Sequence, residues 1–379
     1  MAEKVVLSRI NNLGLYTSIP DEQFGFRSQH DTSLLVAKVL HDAINKHNQQ
    51  QSTILLALDI RQAFDSVWLH GLIYKLLTIH NYPLYLVSLL HTYITGRTFR
   101  VRVEASLSAP MRTSAGVPQG TVLSPILFNL YTADIPRYPS SKLAMFADDV
   151  LVYASSFYAN AASYHIRNHL HTLLPWYNKW KLAINETKCE AILLKRKFTN
   201  ITVHQPIIIN GTQVRLAKKL KYLGVVLDTH LRFMSHIGFV LQKSFLAMQD
   251  LYVLLSHQSH MSPQNKLTLY NQIIRPVLVY AAPVWCSVSN AQMARLQRFQ
   301  NRLLRCVTSA PRYVPIVELH QMTNSIRFQE YIFNICNEFY KTKPSSSVLT
   351  QNLTAVRVNH NVTHKPLYSR LPIYFEETN

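Results

Sequence analysis

Acidic residues are scarce in this chain. Its 379 residues hold 20 Asp and Glu against 39 Lys and Arg, and charged residues make up only 16% of the total. The resulting formal net charge of +19 points to a polyanionic partner, nucleic acid ahead of an anionic membrane surface. Solubility alone does not call for so lopsided a balance. With so few acids, each one is a candidate for a placed role. Cysteine is scarce as well: Cys189, Cys286, Cys306 and Cys336 stand far apart. The absence of any C-x-x-C spacing argues against a zinc knuckle and a disulfide framework, and leaves a reducing compartment as the default. No run of about 18 apolar residues occurs, and the first residues carry no apolar signal region. No membrane partner is therefore expected, and the expected location is intracellular, in the nucleus, the cytoplasm or both. The N-x-S/T matches at Asn200 and Asn352 then carry little weight. Internal repeats and low-complexity segments are missing too.

What is present is enough apolar sequence for a core. Hydrophobic residues make up 48% of the chain, which argues against disorder, and the length suits one large domain or two modest ones. Apolar spacing predicts helices over 4–17, 31–48, 69–80 and 83–95, with Asp31 or Thr32 as the cap of the second. Ile54–Leu58 is a continuous apolar run, expected as a strand buried on both faces. Residues 98–103 alternate as a strand with basic residues on one face. Ser124 and Pro125 form a cap and first-turn pair for a helix running to about Tyr131. A helix is expected over about 158–184, and a tight hairpin over 221–228 broken at Gly224. From 231 to 312 the pattern is helical and basic, with nine Lys and Arg against a single acid, Asp250. The last thirty or so residues read as a loosely ordered tail.

The chemistry concentrates in Leu143–Ala154. Two short apolar runs flank Asp148 and Asp149, which predicts a β-hairpin with both aspartates at its tip. Adjacent carboxylates between apolar strands repel each other and lose hydration. A bound divalent cation with oxygen ligands, such as Mg²⁺, resolves that conflict. Asp59 ends the Ile54–Leu58 run, where a carboxylate is rigidly held. If the two strands are neighbours, the three carboxylates meet in the arrangement that holds two divalent ions for phosphoryl transfer. Phe64, five residues on, is placed to press a ring against a nucleotide sugar and exclude a 2′-hydroxyl. Asp65 reads as a helix N-terminal acid facing solvent. The glycines of Gly116–Pro125 allow close backbone approach before a helix. In the helix expected at about 290–308, Met293, Leu296, Phe299, Leu303 and Val307 share one face. Arg295, Arg298, Arg302 and Arg305 share another, a basic stripe suited to a phosphate backbone.

Three motifs carry a resemblance. Leu58-Asp-Ile-Arg-Gln-Ala-Phe-Asp65, Gly116-Val-Pro-Gln-Gly-Thr-Val-Leu-Ser-Pro125 and Phe146-Ala-Asp-Asp149 occur in the order and spacing of reverse transcriptases. Asp21–Arg27, Lys221–Gly224, Ile274–Tyr280 and Leu296–Arg305 extend the match over about residues 2–340. Within that family the chain resembles the polymerases of non-LTR retrotransposons of the jockey type. The resemblance implies an α+β right-hand polymerase. Fingers and a ferredoxin-like palm would fill 1–228 and a helical thumb 229–312. A partly helical, then loosely ordered extension would fill 313–379. It implies an RNA-directed DNA polymerase that adds dNTPs to a DNA 3′-hydroxyl on an RNA template, using two Mg²⁺ ions with Mn²⁺ as a substitute.

The resemblance also implies roles for single residues. Asp59, Asp148 and Asp149 become the catalytic triad, with the Ile60 carbonyl as a further metal ligand. Phe64 matches the steric gate, and Gln119 and Gly120 the loop beside the incoming nucleotide. Lys188 falls near a late palm lysine that protonates leaving pyrophosphate. Arg27 matches a fingers loop that contacts template or nucleotide, and Leu223–Gly224 the primer-grip turn. The family's fingers begin upstream of Met1, so the chain reads as a partial element that needs an endonuclease in trans. The alternative is a catalytically weak or dead remnant of the same fold that only binds RNA or DNA.

Overall fold

The computed structural model describes residues 2–14, 18–195 and 203–342. The matches at Asn200 and Asn352, the basic residues Arg196 and Lys197, and the expected tail beyond 342 lie outside them. Among the described residues no helix is long and apolar enough to cross a membrane. Two compact units emerge, and neither is one run of chain. The first takes in Met1–Asp31, Thr53–Ala191 and Asn200–Leu216; the second takes in Thr32–Ser52, Ile192–Thr199 and Ala217–Asn379.

The first unit is built on strands that read as apolar runs because both faces are covered. Lys142–Phe146 and Asp149–Ser156 form an antiparallel hairpin, in register from Lys142 opposite Tyr153 to Phe146 opposite Asp149. Ser52–Leu58 lies beside Asp149–Ser156 in a five-stranded sheet. A 2.8 Å contact between the hydroxyls of Thr53 and Ser155 fixes the two strands against each other. The helix Ala159–Lys179 packs on the hairpin with Ala162, Ile166, Leu170 and Leu173 buried at helical spacing. It stops five residues earlier than its apolar pattern suggests. Lys181 turns left-handed at φ +55°, so Ala183–Asn185 can run beside Asp59–Arg61 as a short bridge.

Three local expectations need correction. The first helix is Ala2–Asn12, shorter than 4–17. Residues 98–103 do not form one strand. Thr98–Phe99 pairs with Met111–Arg112, and Arg102–Val103 with Ser106–Leu107. Between the pairs the Ser108 hydroxyl accepts the Val101 N–H at 2.9 Å, and the whole segment is exposed, so no buried face enforces a continuous ladder. Ser124 is not a cap but the first residue of the helix Ser124–Tyr131. The Thr121 hydroxyl, 2.7 Å from the Ser124 hydroxyl, accepts the Ser124 N–H instead.

A cationic side chain sits in the core of this unit. Lys75 is fully buried, 2.5 Å from both the Tyr131 carbonyl and an Asp134 carboxylate oxygen. Its ammonium lies 3.7 Å from the centroid of a Trp180 ring and 4.7 Å from that of Trp176, a desolvated cation–π site.

The second unit is mainly helical. Thr32–Asn48 buries Leu34, Leu35, Val36, Val39, Leu40 and Ile44. Lys219–Tyr222 and Val225–Asp228 form the expected hairpin. Its turn residues are both left-handed, Leu223 at φ +44° and Gly224 at φ +78°, the geometry whose twist matches a two-residue hairpin. Asp228 then caps the following turn through the N–H groups of His230, Arg232 and Phe233. Helix Met234–Asp250 follows. Farther on, a π-helical turn, Tyr270–Ile274, precedes the helix Arg275–Val279. Pro276 there has no N–H for an α-helical bond, and the wider turn absorbs the loss. Asn290–Thr308 is a long amphipathic helix, followed by Ile316–Met322 and Phe328–Thr342.

Candidate active site

The hairpin register places Phe146 and Asp149 opposite each other and leaves Ala147 and Asp148 as a two-residue tip. Ala147 is left-handed at φ +56°, a conformation that costs a residue with a Cβ about 1–2 kcal/mol. Gln23 holds it there. The buried Gln23 amide oxygen accepts the Ala147 N–H at 2.8 Å and the Gly25 N–H at 2.9 Å. Its nitrogen donates to the Ala147 carbonyl at 3.3 Å. The Phe24 N–H donates to the Met145 carbonyl, and the Met145 N–H to the Glu22 carbonyl. Gly25 is required by this approach, since a Cβ on it would lie 2.4 Å from the Ala147 nitrogen.

Asp59 is half-buried just past the Ser52–Leu58 strand. Its carbonyl accepts the Asn185 N–H at 2.7 Å, and the Arg61 N–H donates to the Ala183 carbonyl at 2.7 Å. Backbone bonds thus hold the segment on both sides of Ile60. Asp149 feels the charges of the other two aspartates. Asp149 has an exposed side chain, yet desolvation by the surrounding protein, then the charges of Asp148 and Asp59, push its pKa up to about 6. Desolvation likewise pushes the buried Cys189 thiol up to about 11, with the Asp59 and Glu186 charges adding to it.

Mutually repelling carboxylates supply hard oxygen donors and a charge deficit that a divalent cation would relieve, so donor set and charge both fit such an ion. Among the described residues, no three His, Cys, Asp or Glu side chains converge tightly enough to enclose an ion unaided.

Phe64 stacks on Phe128 with ring centroids 4.7 Å apart and planes 26° apart, while its carbonyl accepts the Val117 N–H. Asp65 is not idle. It lies in a turn before the helix Leu69–Thr78, and both its carboxylate oxygens are 2.8 Å from the Gln119 side-chain nitrogen. Gly116, at φ +84°, passes so close to Asp65 that a Cβ would lie 2.7 Å from the Asp65 carbonyl oxygen. Gly120, at φ +77°, is exposed with open space around it. Lys188 is exposed. Arg27 is turned inward. Its guanidinium donates to the Pro20 and Gln23 carbonyls and pairs with Asp21 at 3.6 Å.

In the second unit, the Leu223 carbonyl accepts the Tyr280 hydroxyl at 2.9 Å, and a Cβ on Gly224 would lie 2.8 Å from the Tyr280 ring. The four arginines of Asn290–Thr308 are not equivalent. Arg298 and Arg302 are exposed, and Arg302 lies over the Phe245 ring. Arg295 donates to Gln292. Arg305 clasps the chain after the helix through the Pro311 and Val314 carbonyls, a fold contact the spacing of the stripe does not reveal. Sequence spacing passes over Gln23 and, in reading Asp65 as a solvent-facing helix acid, misses its bond to Gln119. Gln23 was visible only as one residue of the Asp21–Arg27 match.

Residues 1–227 match the family model described as reverse transcriptase (RNA-dependent DNA polymerase). The chain is 32% identical over 365 residues to a probable RNA-directed DNA polymerase from transposon BS of Drosophila melanogaster, across 94% of this chain and 40% of that one. It is 34% identical over 309 residues to a probable RNA-directed DNA polymerase from transposon X-element of the same species, across 80% and 33% respectively. Identity to the RNA-directed DNA polymerase from mobile element jockey of Drosophila funebris is 33% over 325 residues, across 83% and 35%. The aligned region is 33–40% of the length of these relatives.

Proposed function

The chain belongs to the reverse transcriptase (RNA-dependent DNA polymerase) family, and from that premise we propose that it is the RNA-directed DNA polymerase of a non-LTR retrotransposon. It would extend a DNA 3′-hydroxyl on an RNA template with dNTPs, inside the cell, in the nucleus, the cytoplasm or both. The observation that carries this reading is the Lys142–Ser156 hairpin, whose tip is Ala147 and Asp148 and whose first returning strand residue, Asp149, feels the charges of both Asp148 and Asp59. In right-hand terms, fingers and palm lie within 1–228 and the thumb within 229–312.

Reverse transcriptases generally use divalent metal ions. Asp59 and Asp148 would hold Mg²⁺ most firmly, with Asp149 and the Ile60 carbonyl beside them. Mg²⁺ sites of this class use one or two carboxylates plus substrate phosphates, which agrees with carboxylates that do not close a cage unaided. When bound, the ions lower the pKa of the attacking hydroxyl and neutralise charge on the leaving pyrophosphate.

The other residues position and select. Phe64, its ring braced by Phe128, occupies the space of a ribose 2′-hydroxyl. Gln119, held by Asp65, and the bare Gly120 backbone line the incoming nucleotide. Lys188 is exposed and can deliver a proton to departing pyrophosphate. The Leu223–Gly224 turn holds the primer strand, and Arg298 and Arg302 contact the duplex backbone, with Arg295 beside them. The inward hydrogen bonds of Arg27 support a role in shaping the loop that seats Ala147 more than a direct template contact.

Primer extension tests the activity. With an annealed DNA primer and RNA template, dNTPs and Mg²⁺ should give extension, and rNTPs should not. Tight binding of the duplex with no extension under any divalent metal would reject the reading in favour of a chain that binds nucleic acid without catalysis.

A further inference from the structure

The helix Ser124–Tyr131 follows the Gly116–Leu123 turn, and two neighbouring residues on it reach different parts of the site. Phe128 stacks on Phe64. Asn129 is completely buried, and its side-chain nitrogen donates to the Gly25 carbonyl at 2.8 Å. Its side-chain oxygen has no partner among the described residues. A buried acceptor left unmet is costly, and an apolar side chain of similar shape would avoid that cost. Packing therefore does not account for an amide at this position; the bond to Gly25 does.

Gly25 is pressed against the turn that presents Asp148. A Cβ on it would lie 2.4 Å from the Ala147 nitrogen. On one side, the Gln23 amide oxygen accepts both the Gly25 and the Ala147 N–H. On the other side, Asn129 holds the Gly25 carbonyl. That carbonyl belongs to the peptide plane from which Phe26 departs at φ +57°, a left-handed conformation in a residue with a Cβ. Ala147 is left-handed too, at φ +56°. Two strained residues thus adjoin Gly25, one in sequence and one in space, and such backbone persists only where its surroundings over-determine it. Without the Asn129 bond the peptide between Gly25 and Phe26 is free to rotate. Phe26 then relaxes, Gly25 no longer backs Ala147, and Asp148, the next residue, loses its fixed direction.

We infer that Asn129 is a positioning residue for metal binding: through Gly25 it holds the left-handed turn at Ala147, so that Asp148 meets a divalent cation in one orientation. The helix that braces Phe64 thereby also braces the metal-bearing turn. This role rests on Asp148 being the metal ligand proposed above.

The test reads Mn²⁺ binding to the full chain by electron paramagnetic resonance of the free ion, with no dNTP or nucleic acid present. Asp148→Asn identifies the site by the binding it removes. Asn129→Leu keeps the branched shape and removes the donor, and Asn129→Ala does so without added bulk. Leu127→Val, which takes a methylene from a buried residue of the same helix, controls for core packing, and melting temperatures are recorded for every variant. Losing a residue that orients a metal ligand costs about 10–100-fold in metal affinity, so both Asn129 variants should weaken Asp148-dependent binding by about tenfold or more, and Leu127→Val by less than about twofold. Asn129→Leu combined with Gln23→Leu should be little weaker than Gln23→Leu alone, because both act on the same turn. Native affinity in both Asn129 variants, a loss in Leu127→Val equal to theirs, or no Asp148-dependent binding in the native chain would overturn the role. No polymerisation is read. A chain that extends primers but keeps native Mn²⁺ affinity in both Asn129 variants retains the polymerase reading and loses this role. A chain that shows the expected losses but makes no DNA does the reverse.

Discussion

Gln23 grips Ala147 at both ends of the same residue, accepting from its N–H at 2.8 Å and donating to its carbonyl at 3.3 Å. One buried amide thereby fixes the left-handed turn that presents Asp148. Gln23→Ala leaves the Ala147 and Gly25 N–H groups unmet in the interior, at a cost of about 1–3 kcal/mol. The variant should melt at a lower temperature and need more Mg²⁺ for half-maximal extension, both measurable on one preparation. Ala147→Gly removes the left-handed strain and should gain ~1 kcal/mol while keeping the Mg²⁺ requirement. An unchanged Mg²⁺ requirement in Gln23→Ala would deny this residue its positioning role.

Asp65 and Gln119 act as a pair. Each carboxylate oxygen of Asp65 lies 2.8 Å from the Gln119 amide nitrogen. Asp65→Ala should therefore raise the dNTP KM much as Gln119→Ala does, and the double variant should be little worse than either. A coupling of about 0.5–3 kcal/mol is expected for residues in such contact. Strict additivity in the cycle would show that Asp65 does not hold Gln119 for nucleotide binding.

Phe64 is held by its stack on Phe128. Phe64→Ala should admit ribonucleotides and lower the preference for dNTPs by about 10–200-fold, the range a single apolar contact commands. Phe128→Ala should relax the same preference more weakly, because the ring loses its brace and not its bulk. The readout is the ratio of kcat/KM for a dNTP and its rNTP. If Phe64→Ala leaves that ratio intact, the ring is only core packing.

Lys75 predicts a pH dependence of stability. Burial, outweighing the opposing pull of Asp134, lowers its pKa from 10.5 to about 8. Between those values the unfolded chain keeps the proton that the folded chain has released. Stability from this group therefore rises as pH climbs from about 8 toward 10.5, and below 8 the folded state bears the full cost of the buried charge. Urea unfolding of the native chain and of Lys75→Met at several pH values checks the sign. The native chain should gain on the variant as pH rises through that window, and a gap that shrinks would contradict the assignment.

Much of this site is legible in the sequence because apolar runs and punctuation carry it. Ile54–Leu58 and the two runs around Asp148–Asp149 are too short for helices and are buried on both faces, and they form the strands expected of them. Gly224 marks a turn that needs positive φ. What periodicity does not carry is side-chain bonding between distant segments. Gln23 acts 124 residues away in sequence, and Asp65 acts on Gln119, 54 residues on. Neither leaves a local pattern. The same blindness turned Arg305 into a stripe residue when it clasps Pro311 and Val314. It also made Ser124 a cap when Thr121 does that work. The alternation at 98–103 predicted a strand because spacing reports amphipathicity and not whether a core exists to use it.

Catalysis at Asp148 is tested most directly by comparing the native chain with Asp148→Asn in single-turnover extension of a DNA primer on RNA, with duplex affinity measured in parallel. Losing one electrostatic clamp of this kind costs about 3–4 kcal/mol, roughly 10²–10³-fold in rate. Asp148→Asn should lose at least that much rate with its duplex affinity unchanged. Equal extension by both proteins, or none by the native chain while the duplex stays bound, would contradict it.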